Sequence, residues 1–287
     1  MHAIRPLLVL FLAALAIPFA AGYAPDFAPS KAACGMQLRS TDVLPALALD
    51  ASAAASAPEQ APDFPRDHPF AFESCTGKIR PGAAMTSPAG CTFSFILTDG
   101  NGTLYTGSAG HCVSRVGQRV SASGVGAFGT VVTYWALGVD YALIRIDADK
   151  TSLVTPTLCA WGGPIGADPG NRPANDILLE YAWGFATSAT SHTRTRALVQ
   201  AGIGANEISW HGVGSGGDSG GPIVSVEGYA VGSHTRGVTP LAGVVYEAGP
   251  TFARMLASGR TAVPTLTLVP GDPTDVELTA QAVRDLT

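Results

Sequence analysis

The fold of this chain is decided by residues 91–106, whose sequence is CTFSFILTDGNGTLYT. Two runs rich in β-branched and aromatic residues, Cys91–Leu97 and Thr103–Thr106, flank the turn sequence Asp99–Gly102. Glycine and asparagine readily adopt the backbone angles of tight hairpin turns, so this pattern predicts a β-hairpin.

Similar short runs recur along the rest of the chain, mostly separated by Gly, Asp or Asn. They lie at residues 130–135, 141–146, 177–183, 197–200, 223–226 and 241–246. Regularly spaced short strands predict a β-sandwich or barrel. One helix is predicted late in the chain, at residues 250–257, with Pro250 at its start and Gly259 past its end.

The composition agrees with an all-β fold and excludes several classes. The 287 residues are enough for one large or two smaller compact units, and 46% hydrophobic against 14% charged residues provides a core. The 34 glycines and 21 prolines favour short elements joined by tight turns. A net charge of −5 without any basic run argues against nucleic acid as a partner.

The first 72 residues have the character of a targeting and processing region. Residues 1–22 combine a short cationic start, an apolar stretch and small residues at its end, which predicts a secretory signal peptide. Its apolar stretch is shorter than the ~20 residues that a bilayer requires. Residues 23–72 are rich in Ala, Pro, Asp and Ser and are predicted to be a flexible leader or pro-segment. We therefore expect a secreted protein that is free of membranes after cleavage.

The stretch most informative about chemistry is Gly214–Pro222, in which Ser219 stands among five glycines. Glycines allow a substrate backbone to approach closely, and successive amide N–H groups can converge on one anion. A nucleophile beside an oxyanion pocket needs both properties. The alternative for this stretch alone is a surface turn.

Two further residues make a nucleophilic serine more credible. His111 follows one predicted strand and Asp140 precedes another. A serine becomes a good nucleophile when a histidine removes its proton, and the imidazole is oriented by a carboxylate. Taken singly, His111 could be a structural histidine and Asp140 a turn residue.

The chain order separates two common plans of serine hydrolase. An α/β-hydrolase requires nucleophile, acid and histidine in that order. Ser219, Glu227 and His234 have this order, but intervals of eight and seven positions leave no room for crossovers of a dozen or more residues. The order His111, Asp140, Ser219 is that of the chymotrypsin type.

At these residues the chain resembles the trypsin/chymotrypsin superfamily. The resemblance lies in GSAGHC at 107–112, DYALI at 140–144 and GDSGGP at 217–222, and it extends over about residues 75–257. It is closest to the secreted bacterial branch, similar to α-lytic protease and the streptogrisins, with some resemblance to glutamyl endopeptidases. It implies an all-β domain at 73–260, made of two six-stranded antiparallel barrels and a C-terminal helix, followed by a C-terminal extension at 261–287.

The resemblance also implies a role for each site residue. His111 would be the general base, Asp140 its orienting acid and Ser219 the nucleophile, with the N–H groups of Gly217 and Ser219 forming the oxyanion hole. No cofactor is expected, and the Cys and His spacing predicts no metal site. The expected partners are protein or peptide substrates of a monomeric enzyme. A catalytically silent binding protein and an esterase with the same triad are the alternatives.

Five cysteines in an exported chain leave two bridges and one residue over. The resemblance implies the pairs Cys91–Cys112 and Cys75–Cys159, with Cys34 in the leader. The first bridge would hold His111 in place and, in the chain-entropy model, stabilise the fold by about 3 kcal/mol.

Substrate choice is predicted from the residues around the nucleophile. Val213 occupies the position where trypsin has its pocket aspartate, and no acid occurs between Glu207 and Asp218, so a basic side chain before the cut is not expected. His234 could bind an acidic side chain, or it could be a rim histidine of a pocket for small or apolar side chains. The edge formed by Thr235, Arg236 and Gly237 would pair with the substrate backbone.

Overall fold

The structure, a computed structural model, describes residues 77–159, 162–170, 172–173, 175–182, 195–211, 214–238 and 246–273. All described residues belong to one unit of the chain, Ala46–Thr287. The predicted signal peptide and leader, residues 241–245 of the predicted strand at 241–246, and the last fourteen residues lie outside the described residues.

The described residues form two eight-stranded sheets and one α-helix. The first sheet contains β1 (Ala84–Ser87), β2 (Cys91–Thr92), β3 (Ile96–Thr98), β4 (Leu104–Ser108), β5 (Arg119–Ala122), β6 (Gly126–Trp135), β7 (Tyr141–Ile146) and β16 (Thr267–Leu268). The second contains β8 (Gly166–Ala167), β9 (Ile177–Tyr181), β10 (Thr195–Ile203), β11 (Glu207–His211), β12 (Pro222–Ser225), β13 (Tyr229–Ser233), β14 (Arg236–Val238) and β15 (Tyr246–Pro250). The helix is α1 (Phe252–Gly259).

A bent strand closes the first sheet into a barrel. The sheet order is β16-β3-β4-β7-β6-β5-β1-β2, and its neighbours pair antiparallel. Between β2 and β3 the chain stays hydrogen-bonded on both sides, because Phe93 N donates to Ala83 O at 2.8 Å and Ser94 N donates to Gly107 O at 2.7 Å. Together β2 and β3 are therefore one strand that pairs with β1 at one end and with β4 at the other. Counted in this way the barrel has the predicted six strands, and β16 is an addition.

The second sheet closes in the same manner. Its order is β14-β15-β11-β10-β9-β12-β13-β8, and β8 pairs parallel with β13. The stretch that contains β13 and β14 pairs with β12 at its start and with β15 at its end. At its bend, His234 N donates to Gly221 O at 2.9 Å and Thr235 N donates to Ala248 O at 3.1 Å. This barrel also has six strands, with β8 added outside.

Each barrel is filled by the apolar side chains that the alternating patterns point inward. In the first barrel Phe93 and Phe128 meet edge to face with ring centroids 5.0 Å apart. A smaller cluster in the second barrel contains Trp210, Ile208 and Ile223. A third cluster draws residues from both barrels and includes Tyr141. Burial of these side chains supplies the main driving force for the fold.

The predicted C-terminal helix is present, two residues later than expected. Thr251 is its N-cap, and its hydroxyl accepts the N–H of Arg254 at 3.3 Å. The helix packs Phe252 edge to face on Phe95 of the first barrel, with centroids 5.2 Å apart. No helix in the described part of the chain has the length and apolar character needed to span a membrane.

These observations confirm the predicted all-β class with two antiparallel barrels and a C-terminal helix. The predicted hairpin is present as β3 and β4, paired from Ile96–Thr106 to Thr98–Leu104. The sequence did not predict where the segment after the helix runs. Leu266 is fully buried and β16 pairs with β3, so this part of the C-terminal region packs on the first barrel.

Candidate active site

His111 lies in a short 3-10 turn, Gly110–Cys112, directly after β4. The turn is fixed to the preceding strand region by a disulfide between Cys91 and Cys112, which confirms the predicted pair. The imidazole itself stays accessible, with 42% of the side chain exposed. The backbone of His111 is therefore held in place while its imidazole remains accessible to solvent.

Asp140 is the residue before β7 and holds an unusual backbone angle, φ = 44°. Aspartate tolerates this left-handed region better than most residues. Its carboxylate makes two contacts with one residue: Oδ1 accepts the N–H of His111 at 2.9 Å, and Oδ2 lies 2.9 Å from Nδ1 of the ring. The backbone and the side chain of His111 are therefore oriented by the same acid.

Ser219 lies on the turn that leads into β12 of the second barrel and is half-buried. The next residue, Gly220, has φ = 91°, and a Cβ at this position would lie 2.0 Å from the carbonyl oxygen of Thr92. Only glycine fits so close to another backbone segment. This close approach brings the serine against the first barrel, where the histidine and the aspartate lie.

The three side chains form one chain of hydrogen bonds. The Nε2 atom of His111 lies 2.9 Å from Oγ of Ser219, while Nδ1 faces Asp140. An ionised carboxylate accepts hydrogen bonds only, so Nδ1 carries the proton and Nε2 of the neutral ring is left to accept the proton of the serine. This arrangement can deprotonate an alcohol as it attacks an electrophile.

The predicted oxyanion donors lie on a backbone that is held from the first barrel. Gly217 has φ = 106°, a conformation that side chains of L-residues rarely adopt. Thr92 contacts this turn twice: its hydroxyl donates to Gly217 O at 2.7 Å, and its N–H donates to Ser219 O at 2.8 Å. Asp218 between them is fully buried and accepts the N–H of Ser215 at 2.9 Å. These contacts fix the turn that carries the serine.

The remaining cysteine predictions are met only in part. Cys159 is disulfide-bonded, while Cys75 and Cys34 lie outside the described residues, so the pair Cys75–Cys159 stays a prediction. Cys91 and Cys112 also lie beside His111, with potential ligand atoms within 4.8 Å of one another. Their sulfur atoms are joined to each other and are not the free thiolates that a metal ion binds.

His234 occupies a buried site between two glutamates that the sequence did not single out. Its Nδ1 lies 2.6 Å from Oε1 of Glu180 in β9, and its Nε2 lies 2.9 Å from Oε2 of Glu247 in β15. The indole of Trp210 packs edge to face on the ring, with centroids 5.4 Å apart. Burial alone would lower the pKa of His234, but the two carboxylates outweigh it and raise the pKa to about 9.

The other predicted pocket residues differ in their surroundings. Val213 lies outside the described residues. Thr235 is buried, and its N–H donates a hydrogen bond to the carbonyl oxygen of Ala248. Arg236 is exposed and forms an ion pair with Glu207. Gly237 is exposed and lies in β14, which ends the sheet order within the described residues.

Three residues of the site were missed by the sequence analysis. Thr92 carries no sequence signal, because its role arises from contacts 125 positions away. Glu180 and Glu247 do carry one, since each is a single acid within a run of β-type and apolar residues. A charged residue in such a run is rarely buried without a partner.

Comparisons with known proteins agree with this geometry at the level of the fold. No protein-family model and no curated protein matches the chain. Among solved structures, a glutamic-acid-specific serine protease is 18% identical with a TM-score of 0.51, and the match covers 67% of this chain and 100% of the other. Thermobifida fusca Protease A is 20% identical and Nocardiopsis protease 22%, each with a TM-score of 0.50 and coverage of 67% and 98%. The chain therefore has the chymotrypsin-like fold of bacterial serine proteases.

Proposed function

We propose that this chain is a secreted serine endopeptidase that hydrolyses peptide bonds through an acyl-enzyme on Ser219. The observation that carries the proposal is the continuous path Asp140–His111–Ser219 across the two barrels, in which both side-chain separations are 2.9 Å. The fold shared with bacterial serine proteases supports it. A disulfide beside the site is consistent with an oxidising compartment.

The proposed reaction begins when Oγ of Ser219 attacks the scissile carbonyl carbon while Nε2 of His111 takes its proton. The N–H groups of Gly217 and Ser219 stabilise the negative charge on the carbonyl oxygen. The intermediate then collapses, the bond to nitrogen breaks, and His111 returns the proton to the leaving amine. Water repeats the two steps on the ester and releases the acid, which restores the free serine. Asp140 stays ionised and stabilises the imidazolium that forms in each half.

The substrate backbone would add to the edge of β14 that pairs with no other strand among the described residues. Arg236, Gly237 and Val238 form this short strand, which pairs with β15 on its other side and follows the bend at His234 that contacts Gly220 and Gly221. An extended peptide that adds to a sheet edge gains main-chain hydrogen bonds independent of its side chains. This explains how an endopeptidase could hold many sequences in the same register.

For the side chain before the cut we propose a small or apolar residue. An acidic preference would require an imidazole nitrogen of His234 for the ligand, but each nitrogen faces a carboxylate and only 4% of the side chain is exposed. The glutamic-acid-specific neighbour is described as using a histidine triad in substrate binding. Here His234 is flanked by two glutamates, whose charge would repel an acidic side chain. Chromogenic peptides with Ala, Leu, Glu or Lys before the cut test this preference.

Labelling with a fluorescent fluorophosphonate tests the proposed chemistry directly. We expect the mature protein to be labelled, Ser219→Ala not to be labelled, and Ser123→Ala, an exposed turn serine, to react like the wild type. Ser219→Ala or His111→Ala should lower peptide turnover by ~10⁴ to 10⁶. An unlabelled mature wild type would instead indicate a catalytically silent binding protein. Labelling without casein hydrolysis would indicate an esterase.

The processing scheme is part of the same proposal. A signal peptide at residues 1–22 and a removable leader at 23–72 would leave a mature enzyme that begins shortly before Cys75. N-terminal sequencing of the secreted form measures the cleavage site and the fate of Cys34 together. A mature form that begins at Tyr23 would contradict the removable leader.

A further inference from the structure

Three charged side chains that are not members of the proposed triad meet inside the second barrel. Glu180, His234 and Glu247 come from β9, the bend after β13, and β15, and each is at most 3% exposed. The imidazole joins the two carboxylates through contacts of 2.6 Å and 2.9 Å. Removing three charged groups from water is costly, and apolar residues of the same size are often at least as stabilising. Stability alone does not explain why this group is buried here.

The cluster contacts the beginning of the nucleophile loop, which we define as residues 214–221. The N–H of Gly214 donates to Oε1 of Glu247 at 2.6 Å. The loop lies against the cluster so closely that a Cβ on Gly214 would be 2.6 Å from Cε1 of His234 and 2.7 Å from Oε2 of Glu247. An apolar side chain at position 247 could fill the same volume, but it could not accept this N–H.

The same histidine also holds the end of the nucleophile loop through its backbone. Its carbonyl oxygen accepts the N–H of Gly220 at 2.6 Å, and its N–H donates to Gly221 O at 2.9 Å. His234 and its partner Glu247 therefore contact both ends of the loop that contains Ser219 and the proposed oxyanion donors. The imidazole acts on the Gly214 end through Glu247, whereas the backbone of His234 holds the Gly220 end.

We propose that Glu247, oriented by His234, is a positioning residue that sets the conformation of the nucleophile loop for reaction. The inference rests on the proposed function, because positioning has a chemical effect only if Ser219 is the nucleophile. The carboxylate fixes Gly214, the imidazole fixes the carboxylate, and the loop between Gly214 and Gly220 keeps the geometry that aligns the serine with His111.

The test compares Glu247→Ala with Glu247→Gln and with Leu178→Ala. Glutamine retains an oxygen that can accept the Gly214 N–H, whereas alanine retains none. Leu178 is fully buried in the apolar cluster of the same barrel, so its truncation is a control for general destabilisation.

The three variants and the wild type are measured at a temperature at least 20 °C below the lowest melting temperature. The readouts are the rate constant of fluorophosphonate labelling, kcat and KM for a chromogenic peptide, and hydrogen exchange of the peptide that covers 214–221.

We expect Glu247→Ala to lower the labelling rate constant and kcat at least tenfold, with faster exchange in the loop and unchanged exchange in the first barrel. Glu247→Gln should recover most of the rate. Leu178→Ala should lower the melting temperature but leave labelling within about twofold of the wild type, because it removes no hydrogen bond to the loop.

Equal labelling of Glu247→Ala and wild type, or an equal loss in Leu178→Ala, would overturn the positioning role while leaving the proposed activity intact. Absence of labelling in the wild type would overturn the proposed function. In that case the hydrogen-exchange data alone decide whether Glu247 restrains the nucleophile loop. Unchanged exchange at 214–221 in Glu247→Ala would refute this restraint as well, and faster exchange confined to that peptide would support it.

Discussion

Raising the pH should weaken the second barrel, because His234 is buried in its charged form. In the unfolded chain its pKa is near the ordinary 6.5, and in the fold Glu180 and Glu247 raise the pKa to about 9 despite the burial that lowers it. A folded pKa above the unfolded one means that the fold binds the proton more tightly. The stabilisation is therefore complete below pH 6.5 and is lost as the pH rises through 9.

The size of the effect follows from the same two values. Each tenfold change in proton affinity is worth ~1.4 kcal/mol, so the protonated histidine contributes about 3 kcal/mol at pH values below 6.5. Most of this remains at pH 7 and little remains at pH 9, which gives an expected loss of about 2 kcal/mol between these two pH values. A domain whose total stability is ~5–15 kcal/mol would show this clearly.

Urea unfolding between pH 6 and pH 10 measures the loss, in a Ser219→Ala background that prevents self-digestion. Glu180→Gln removes the largest source of the raised pKa, so it should shift the loss to lower pH and reduce the drop between pH 7 and pH 9. His211→Gln changes a histidine outside the cluster and should leave the slope unaltered. NMR titration of His234 in the Ser219→Ala background gives its pKa independently of any variant at Glu180.

The reasoning is refuted if Ser219→Ala and the additional Glu180→Gln variant lose the same stability between pH 7 and pH 9. It is equally refuted by an NMR pKa of His234 at or below 6.5. Either result would mean that the buried ring is neutral in the fold and that the two contacts with carboxylates require a protonated glutamate instead.

Three further predictions concern groups that hold the nucleophile loop or the turn that contains His111. Thr92→Val removes the hydrogen bond from the Thr92 hydroxyl to the carbonyl oxygen of Gly217. We expect the free energy of unfolding, measured in urea, to fall by about 1–2 kcal/mol and kcat to fall about tenfold. Gly214→Ala should lower the melting temperature by several degrees, because its Cβ would collide with the buried cluster, whereas Gly216→Ala, with open space around it, should change it by less than about one degree. Cys91 and Cys112 are 21 positions apart, so reduction of their disulfide should lower the free energy of unfolding by about 3 kcal/mol, measured by thermal unfolding, and should also lower kcat. Equal kcat before and after reduction would contradict the role of the disulfide in holding the turn that contains His111.

The fold and the three residues of the proposed triad could be predicted because their signals are local in sequence. The hairpin at 91–106 is fixed by its own turn residues, and His111, Asp140 and Ser219 each lie within a short motif next to a strand. Local backbone preferences and strand periodicity act over a few residues, so a single sequence contains them. The helix could be placed only to within two residues, because capping by Thr251 rather than the proline sets its start.

The surroundings of the triad could not be predicted in the same way, because they depend on contacts between distant segments. Thr92 meets Gly217 across 125 positions, and Glu180 meets His234 across 54. The expectation of a substrate carboxylate at His234 followed from its position relative to Ser219, and nothing local shows which strands will pack beside it. A buried imidazole with two acids and an exposed imidazole at a pocket rim have the same sequence neighbours.

The two contacts of Thr92 and the two of His234 suggest a common plan for the nucleophile loop. Thr92 belongs to the bent strand that closes the first barrel, and His234 lies at the bend that closes the second. A strand that closes a barrel pairs with one neighbour before its bend and with another after it. At the bend, some of its hydrogen-bonding groups are therefore available to contact residues outside the sheet. Both bends direct such groups to the loop that contains Ser219. The loop is therefore held at one bend of each barrel, and the proposed reactive geometry does not require a break in a regular strand pair.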